Sequence, residues 1–131
     1  MVKNYKKGAA GFIIQNGSIL LTERKTEPIG CWEVPAGKQE VGETFEQTIK
    51  REVKEETNLD IEILEEIGIN INDEYKFESH MFLARVVGGE LKNTEPHAHA
   101  KVEFVSLKNL PEKLGPSTLK GLAILSSRGL I

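Results

Sequence analysis

Cysteine occurs once in this chain of 131 residues, at Cys31. An internal disulfide is therefore excluded, and the reducing cytoplasm is the expected compartment. Apolar runs are short, such as residues 11–14 and Val86-Val87, far below the ~20 residues with which a helix spans a bilayer. No membrane association is expected. The N-terminal Met1-Val2-Lys3-Asn4-Tyr5-Lys6-Lys7 carries charge without an ensuing apolar region of the signal-peptide kind. Neither charge sign dominates: the formal net charge is −3, with acidic and basic residues interspersed. A nonspecific nucleic-acid binder would show a basic footprint, so no stable nucleic-acid partner is expected. A small anionic substrate stays open, because a bound metal ion supplies positive charge locally. Internal repeats, low-complexity tracts and Pro/Ser-rich linkers are also absent. One domain over residues 1–131 is expected, as a monomer or homodimer.

What the chain does have is an ordinary globular mixture, 39% apolar and 28% charged, in a length suited to one core. Residues 8–15 and 18–22 flank Asn16-Gly17, a pair suited to the two positive-φ positions of a type I′ hairpin turn. Residues 24–31, broken by Pro28 and Gly30, read as a loop, and Trp32-Glu33-Val34 as a short strand stopped by Pro35. Residues 36–43, with Gly37 and Gly42, are expected to form a loop. A helix is expected over residues 44–57, entered through the capping-box pattern Thr44-x-x-Gln47 and closed by Asn58 as a left-handed cap. Strands follow at residues 60–71, 75–87 and 101–106, then a helix at 117–127 behind Pro116. Two helices among several strands predict an α/β fold, a sandwich around a mixed sheet.

At about 100° per residue, Phe45, Ile49 and Val53 line one apolar stripe of the first helix, to be packed on the sheet. Glu52, Glu55 and Glu56 stand at i, i+3 and i+4, so their carboxylates converge on a face beside that stripe. The clustering is locally unfavourable. Like charges at those spacings cost roughly 0.2–0.5 kcal/mol per pair, and carboxylates in a last turn face the negative end of the helix dipole. Taken alone, three glutamates describe a solvated acidic face. Their neighbours change that reading. Arg51 adjoins the cluster, Glu43 stands at the helix start where the dipole favours a carboxylate, and Gly37 and Gly42 let the incoming loop approach a ligand closely. Oxygen-rich clusters of this kind suit Mg²⁺ or Mn²⁺, hard cations that relieve the repulsion.

Written out, the segment runs Gly37, five residues, Glu43, seven residues, then Arg51-Glu52-Val53-Lys54-Glu55-Glu56-Thr57-Asn58-Leu59. It resembles the signature of the Nudix hydrolases, G-x5-E-x7-R-E-U-x-E-E-x-G-U with U aliphatic, at every fixed position but the last glycine, where Asn58 stands. Asn is the usual substitute for Gly in a left-handed cap. The resemblance implies a Nudix-type α/β/α sandwich with a mixed β-sheet, and a metal-dependent pyrophosphohydrolase acting on phosphoric anhydrides. It implies Glu52, Glu55 and Glu56 as metal ligands joined by the carbonyl of Gly37, with Arg51 and Glu43 orienting them. In MutT-type members the first glutamate of the group also acts as base on the attacking water, which gives Glu52 both tasks.

Outside the signature the resemblance is looser, over about residues 8–118. Residues 19–25, Ile-Leu-Leu-Thr-Glu-Arg-Lys, are similar to the second strand of MutT-type nucleotide enzymes, where the basic residue matching Arg24 reaches substrate phosphates. Residues 93–97 and 103–111 resemble the nucleoside triphosphate pyrophosphatases of the family. The implied substrate is a small nucleotide, a triphosphate cleaved to monophosphate and pyrophosphate, as in sanitation of the nucleotide pool. Glu95 and Glu103 are candidates for a further carboxylate at the site. His97 is a candidate phosphate contact, although two loop histidines, His97 and His99, without clustered ligands describe exposed side chains. Residues 115–118, Gly-Pro-Ser-Thr, stand where oxidised-purine triphosphatases carry Trp-Pro-Asp-Asp, which points away from oxidised-guanine specificity. The short length points away from ADP-ribose pyrophosphatases. Cleavage of dinucleoside polyphosphates or of an RNA 5′ end is the enzymatic alternative. Tyr75 lies near the tyrosine of diadenosine polyphosphate hydrolases, but is expected to pack on its strand. A non-catalytic nucleotide-binding module is disfavoured, because such modules lose signature carboxylates and Glu52, Glu55 and Glu56 are all present. Trp32 is expected in the core rather than under a base, and Cys31 lacks any nucleophile motif.

Overall fold

The computed structural model describes residues 4–131. Its elements follow in the order β1 (Lys6–Gln15), β2 (Ser18–Arg24), β3 (Trp32–Glu33), β4 (Ala36–Lys38), α1 (Phe45–Thr57), β5 (Asp60–Asn72), β6 (Phe77–Gly88), β7 (His99–Ser106) and α2 (Pro116–Ser127). β1 is the hub. It runs parallel to β6 from Lys6 to Ile13, antiparallel to β4 at Gly8 to Ala10, and antiparallel to β2 at Ile14 and Gln15. β2 in turn pairs with β3 and β7, and β6 with β5, all antiparallel. The sheet is thus mixed, with order β3-β2-β1-β6-β5 and two further strands beside β1 and β2.

The apolar stretch Gly-Ala-Ala-Gly-Phe-Ile-Ile is continuous because both faces of β1 are covered. Successive side chains point to opposite faces. Ala9 and Ile13 join Leu20, Phe82 and Ala84 under Ile49 and Val53 of α1. Ala10 and Phe12 join Ile19, Leu21 and Met81 under Leu122 and Leu125 of α2. One helix on each face makes an α/β/α sandwich. Full burial of Ile49, Val53 and Leu125 contributes about 1.5–3 kcal/mol each. Two glycines allow the close approach. A Cβ at Gly11 would lie 2.9 Å from Ile49 Cγ1, and one at Gly121 only 2.0 Å from Phe12 Cζ.

The hairpin turn has the expected chemistry, with φ of 49° at Asn16 and 76° at Gly17. α1 begins with the expected box: Thr44 Oγ1 accepts from Gln47 N at 3.1 Å, and Gln47 Oε1 accepts from Thr44 N at 2.9 Å. It ends at Asn58 in the left-handed conformation, φ 66° and ψ 8°. Two expectations change. Residues 36–43 are not all loop, because Ala36–Lys38 forms β4 on the edge of β1. Three residues are too few to show alternation, and the partner strand lies far away in sequence. Tyr75 does not pack on a strand; it stands in the β5–β6 turn, 74% exposed. Trp32 does pack partly buried against the core. Among the described residues no helix is long and apolar enough to cross a membrane.

Candidate active site

The centre of the site is Arg51, on the exposed side of α1. Its Nε donates to Glu43 Oε2 at 2.7 Å and one terminal nitrogen to Glu43 Oε1 at 3.1 Å, a bidentate pair. The same terminal nitrogen reaches the carbonyl of Lys38 on β4 at 2.9 Å. The other donates to Glu52 Oε1 at 2.8 Å and Glu55 Oε1 at 2.9 Å. All the donors of the guanidinium are therefore spent. The Arg51 guanidinium, then the N–H of Glu40, hold Glu43 down at a pKa of about 2. Thr48, buried in the first turn, adds a hydroxyl bond to Glu43 Oε1 at 2.9 Å. Donating to the Glu43 carboxylate raises Arg51 further above its ordinary range. Arg51 and Glu43 thus clamp the loop, β4 and the helix together.

Gly37 faces this clamp. A Cβ there would fall 2.0 Å from Glu52 Cδ, so only glycine leaves room for the Glu52 carboxylate on the β4 backbone. The three glutamates do not all converge. Glu52 and Glu56 stand together, whereas Glu55 turns outward onto Arg51, 51% exposed at its side chain. No group of three His, Cys, Asp or Glu side chains is closed into a ready cage among the described residues.

Glu56 is the anomaly. It is only 6% exposed, and Arg51 pairs with Glu40, Glu43, Glu52 and Glu55 but not with it. Burial, then the Glu52 carboxyl and the charges of Glu95 and Glu33, push its pKa strongly upward. A buried carboxylate with acidic neighbours and no counter-charge is costly. The carboxylates of Glu52, Glu95 and Glu33 around it are oxygen donors that fit a hard divalent cation.

A cavity of about 300 Å³ opens over Glu52 and Glu56, lined also by Glu33, Glu95, Arg24 and His99. A second, of about 630 Å³, shares Arg24 and Glu33 as its near wall and extends past Cys31, Asn70, Asn72 and Tyr75 to residues 115–118. Of the expected substrate contacts, Arg24 and Glu95 are therefore at the site. His97 and Glu103 are exposed and line neither cavity. Cys31 is buried, and that burial pushes its thiol pKa upward, against any nucleophilic task.

Residues 93–99 deliver Glu95. The Thr94 hydroxyl and amide bond the carbonyls of Glu55 and Glu56, two acceptors left over at the end of α1. The Asn93 side chain receives the Glu95 amide and donates to the His99 carbonyl, while Lys25 Nζ holds the Pro96 carbonyl at 2.8 Å. The Ala98 and His99 amides both return to the Glu95 carbonyl. This turn carries His99, not His97, to the cavity. Burial lowers the His99 pKa and favours the neutral ring. The role of Thr94 has no sequence signal, since a lone threonine in a loop is unremarkable until its partners are known.

The description of the NUDIX domain matches residues 5–123, nearly the whole chain. The chain belongs to the NUDIX family. Among its NUDIX relatives, the ADP-ribose pyrophosphatase of Methanocaldococcus jannaschii is 37% identical over 107 residues, 78% of this chain and 62% of that protein. The chain thus spans about six-tenths of that relative's length. The putative 8-oxo-dGTP diphosphatase of Bacillus subtilis is 29% identical over 114 residues, 86% of this chain and 74% of its own. The crystal structure of a MutT NUDIX hydrolase from Burkholderia pseudomallei superposes with a TM-score of 0.84 at 28% identity, over 92% of this chain and 97% of that one. NUDIX hydrolases generally use divalent metals, in keeping with the oxygen donors of Glu52 and Glu56.

Proposed function

We propose that the chain hydrolyses the α–β pyrophosphate bond of nucleoside triphosphates, giving monophosphate and pyrophosphate, with Mg²⁺ or Mn²⁺ held by Glu52 and Glu56. Glu56 carries the reading: a buried carboxylate beside a second one, under a cavity, with no salt bridge to a cation among the described residues. A divalent cation held there would supply positive charge for phosphate oxygens and lower the pKa of a bound water.

The chain's own side chains do the rest. Glu52, fixed at Oε1 by Arg51, receives the proton of the attacking water. The water oxygen bonds to phosphorus as the bridging P–O bond breaks, and the leaving phosphate group keeps the electron pair. Arg51, clamped by Glu43, holds Glu52 in line, and Gly37 leaves it space. Glu95, on the wall of the same cavity, adds a further carboxylate, while Glu55 stays paired with Arg51 on the exposed side. The larger cavity has room for the nucleoside.

Likeness to a MutT NUDIX hydrolase over 97% of its chain, and to a putative 8-oxo-dGTP diphosphatase over 74% of its length, supports triphosphates as substrates. The 37% identity to an ADP-ribose pyrophosphatase favours ADP-ribose as a second reading. Chromatography of products from nucleoside triphosphates, ADP-ribose and dinucleoside polyphosphates with Mg²⁺ tests the choice. Monophosphate plus pyrophosphate from triphosphates is expected; turnover of ADP-ribose alone would replace the first reading by the second.

A further inference from the structure

We propose that His99 is a side chain that hydrogen-bonds a phosphate oxygen of the bound nucleotide. The inference rests on the function proposed above, and it concerns which residue of this chain meets the phosphates.

A phosphate chain needs donors, and the wall of the smaller cavity is made mostly of acceptors: Glu33, Glu52, Glu56 and Glu95. Arg24 looks like the remedy, but four of its five N–H donors are committed. Its Nε donates to the Thr26 carbonyl, one terminal nitrogen to Glu33 Oε1 at 3.1 Å, and the other to Thr26 Oγ1 at 3.0 Å and the Glu27 carbonyl at 2.8 Å. Arg24 therefore shapes the loop of residues 26–33. The Thr22 hydroxyl is likewise turned to the Glu33 carbonyl.

His99 is differently placed. Its Nδ1 is the one buried side-chain nitrogen or oxygen without a hydrogen-bond partner among the described residues. An orphan N–H in that position would be costlier than a bare acceptor. The ring proton therefore belongs on Nε2. His99 lines the cavity while its Nδ1 is occluded, which leaves Nε2 as the ring nitrogen able to meet a ligand there. The backbone around it is fixed on both sides, by the His99 amide to Glu95 and by Asn93 to the His99 carbonyl at 2.8 Å. A donor held this rigidly, on a wall of carboxylates, suits a phosphate oxygen already drawn in by a metal.

The test is steady-state kinetics with Mg²⁺ and calorimetric binding of an α,β-methylene nucleoside triphosphate. Wild type, His99→Ala and His99→Gln are compared, each with thermal unfolding as the check of folding. Gln places its amide nitrogen near the position of Nε2. Expected for His99→Ala is a rise of about tenfold in both KM and analogue Kd, with kcat little changed, and recovery of most of that loss in His99→Gln. An unmoved KM in His99→Ala, or a Gln variant no better than Ala, overturns the assignment. So does a shift confined to the Mg²⁺ requirement, which would make His99 an orienter of Glu95. Wild type that neither turns over triphosphates nor binds the analogue removes the proposed function and His99's place in it together.

Discussion

A Cβ placed on Gly37 would lie 2.0 Å from Glu52 Cδ, so the short strand β4 and helix α1 are fitted to each other at one atom. Gly37 lies outside the positive-φ set, and alanine is therefore tolerated by its backbone. The cost of Gly37→Ala should fall on Glu52 alone. Displacing a reacting group by about 1 Å can cost on the order of 100-fold in rate. Gly37→Ala is expected to lose turnover on that scale while its unfolding temperature stays within a few degrees of wild type. Activity and thermal unfolding on the same preparation check it.

Glu43 gives a pH prediction with a definite sign. Its folded pKa is lowered from 4.5 to about 2, first by Arg51. A depressed carboxylate contributes stability that is complete above its unfolded pKa and is lost as pH falls through the folded one. The difference in unfolding temperature between wild type and Glu43→Gln should be level above about pH 5 and shrink between pH 4.5 and 2. Scanning calorimetry across that range measures it; a difference that grows on acidification would refute the clamp.

Asn58 replaces the last glycine of the signature and meets its demand by adopting φ 66°. Its amide also donates to the Glu90 carbonyl at 2.8 Å. Asn58→Ala keeps the strained backbone and drops that bond, so it should cost about 1–2 kcal/mol. Asn58→Gly exchanges the bond for backbone freedom and should stay within about 1 kcal/mol of wild type. Urea unfolding of both variants separates the two terms, and equal losses would be inconsistent with a left-handed cap.

Legibility in the sequence followed the range of the interactions. The Asn16-Gly17 turn, the Thr44-Gln47 box and the Asn58 cap are local, and each could be read from a few adjacent residues. Spacing put Glu52, Glu55 and Glu56 on one face of the helix, and the resemblance joined Arg51 and Glu43 to them. What could not be read depends on partners distant in the chain. β4 exists because β1 offers an edge, and Glu55 turns outward because Arg51 takes it. The choice of His99 over His97 is made by hydrogen bonds to Glu95 and Asn93. The burial of Glu56 was hidden for the same reason. A carboxylate at i+4 looks exposed until residues 93–99 are seen to close over the end of the helix.

That burial supplies the most direct test of the site. Mg²⁺-dependent turnover of nucleoside triphosphates should be measured for wild type and Glu56→Gln, together with metal-free thermal unfolding. Replacing a buried, uncompensated carboxyl by its neutral isostere relieves desolvation, so Glu56→Gln should unfold at or above the wild-type temperature. Its Mg²⁺-dependent turnover should nevertheless fall by about two orders of magnitude or more. A Glu56→Gln variant that keeps wild-type turnover, or a wild type indifferent to Mg²⁺, would contradict a metal-dependent hydrolase centred on Glu52 and Glu56.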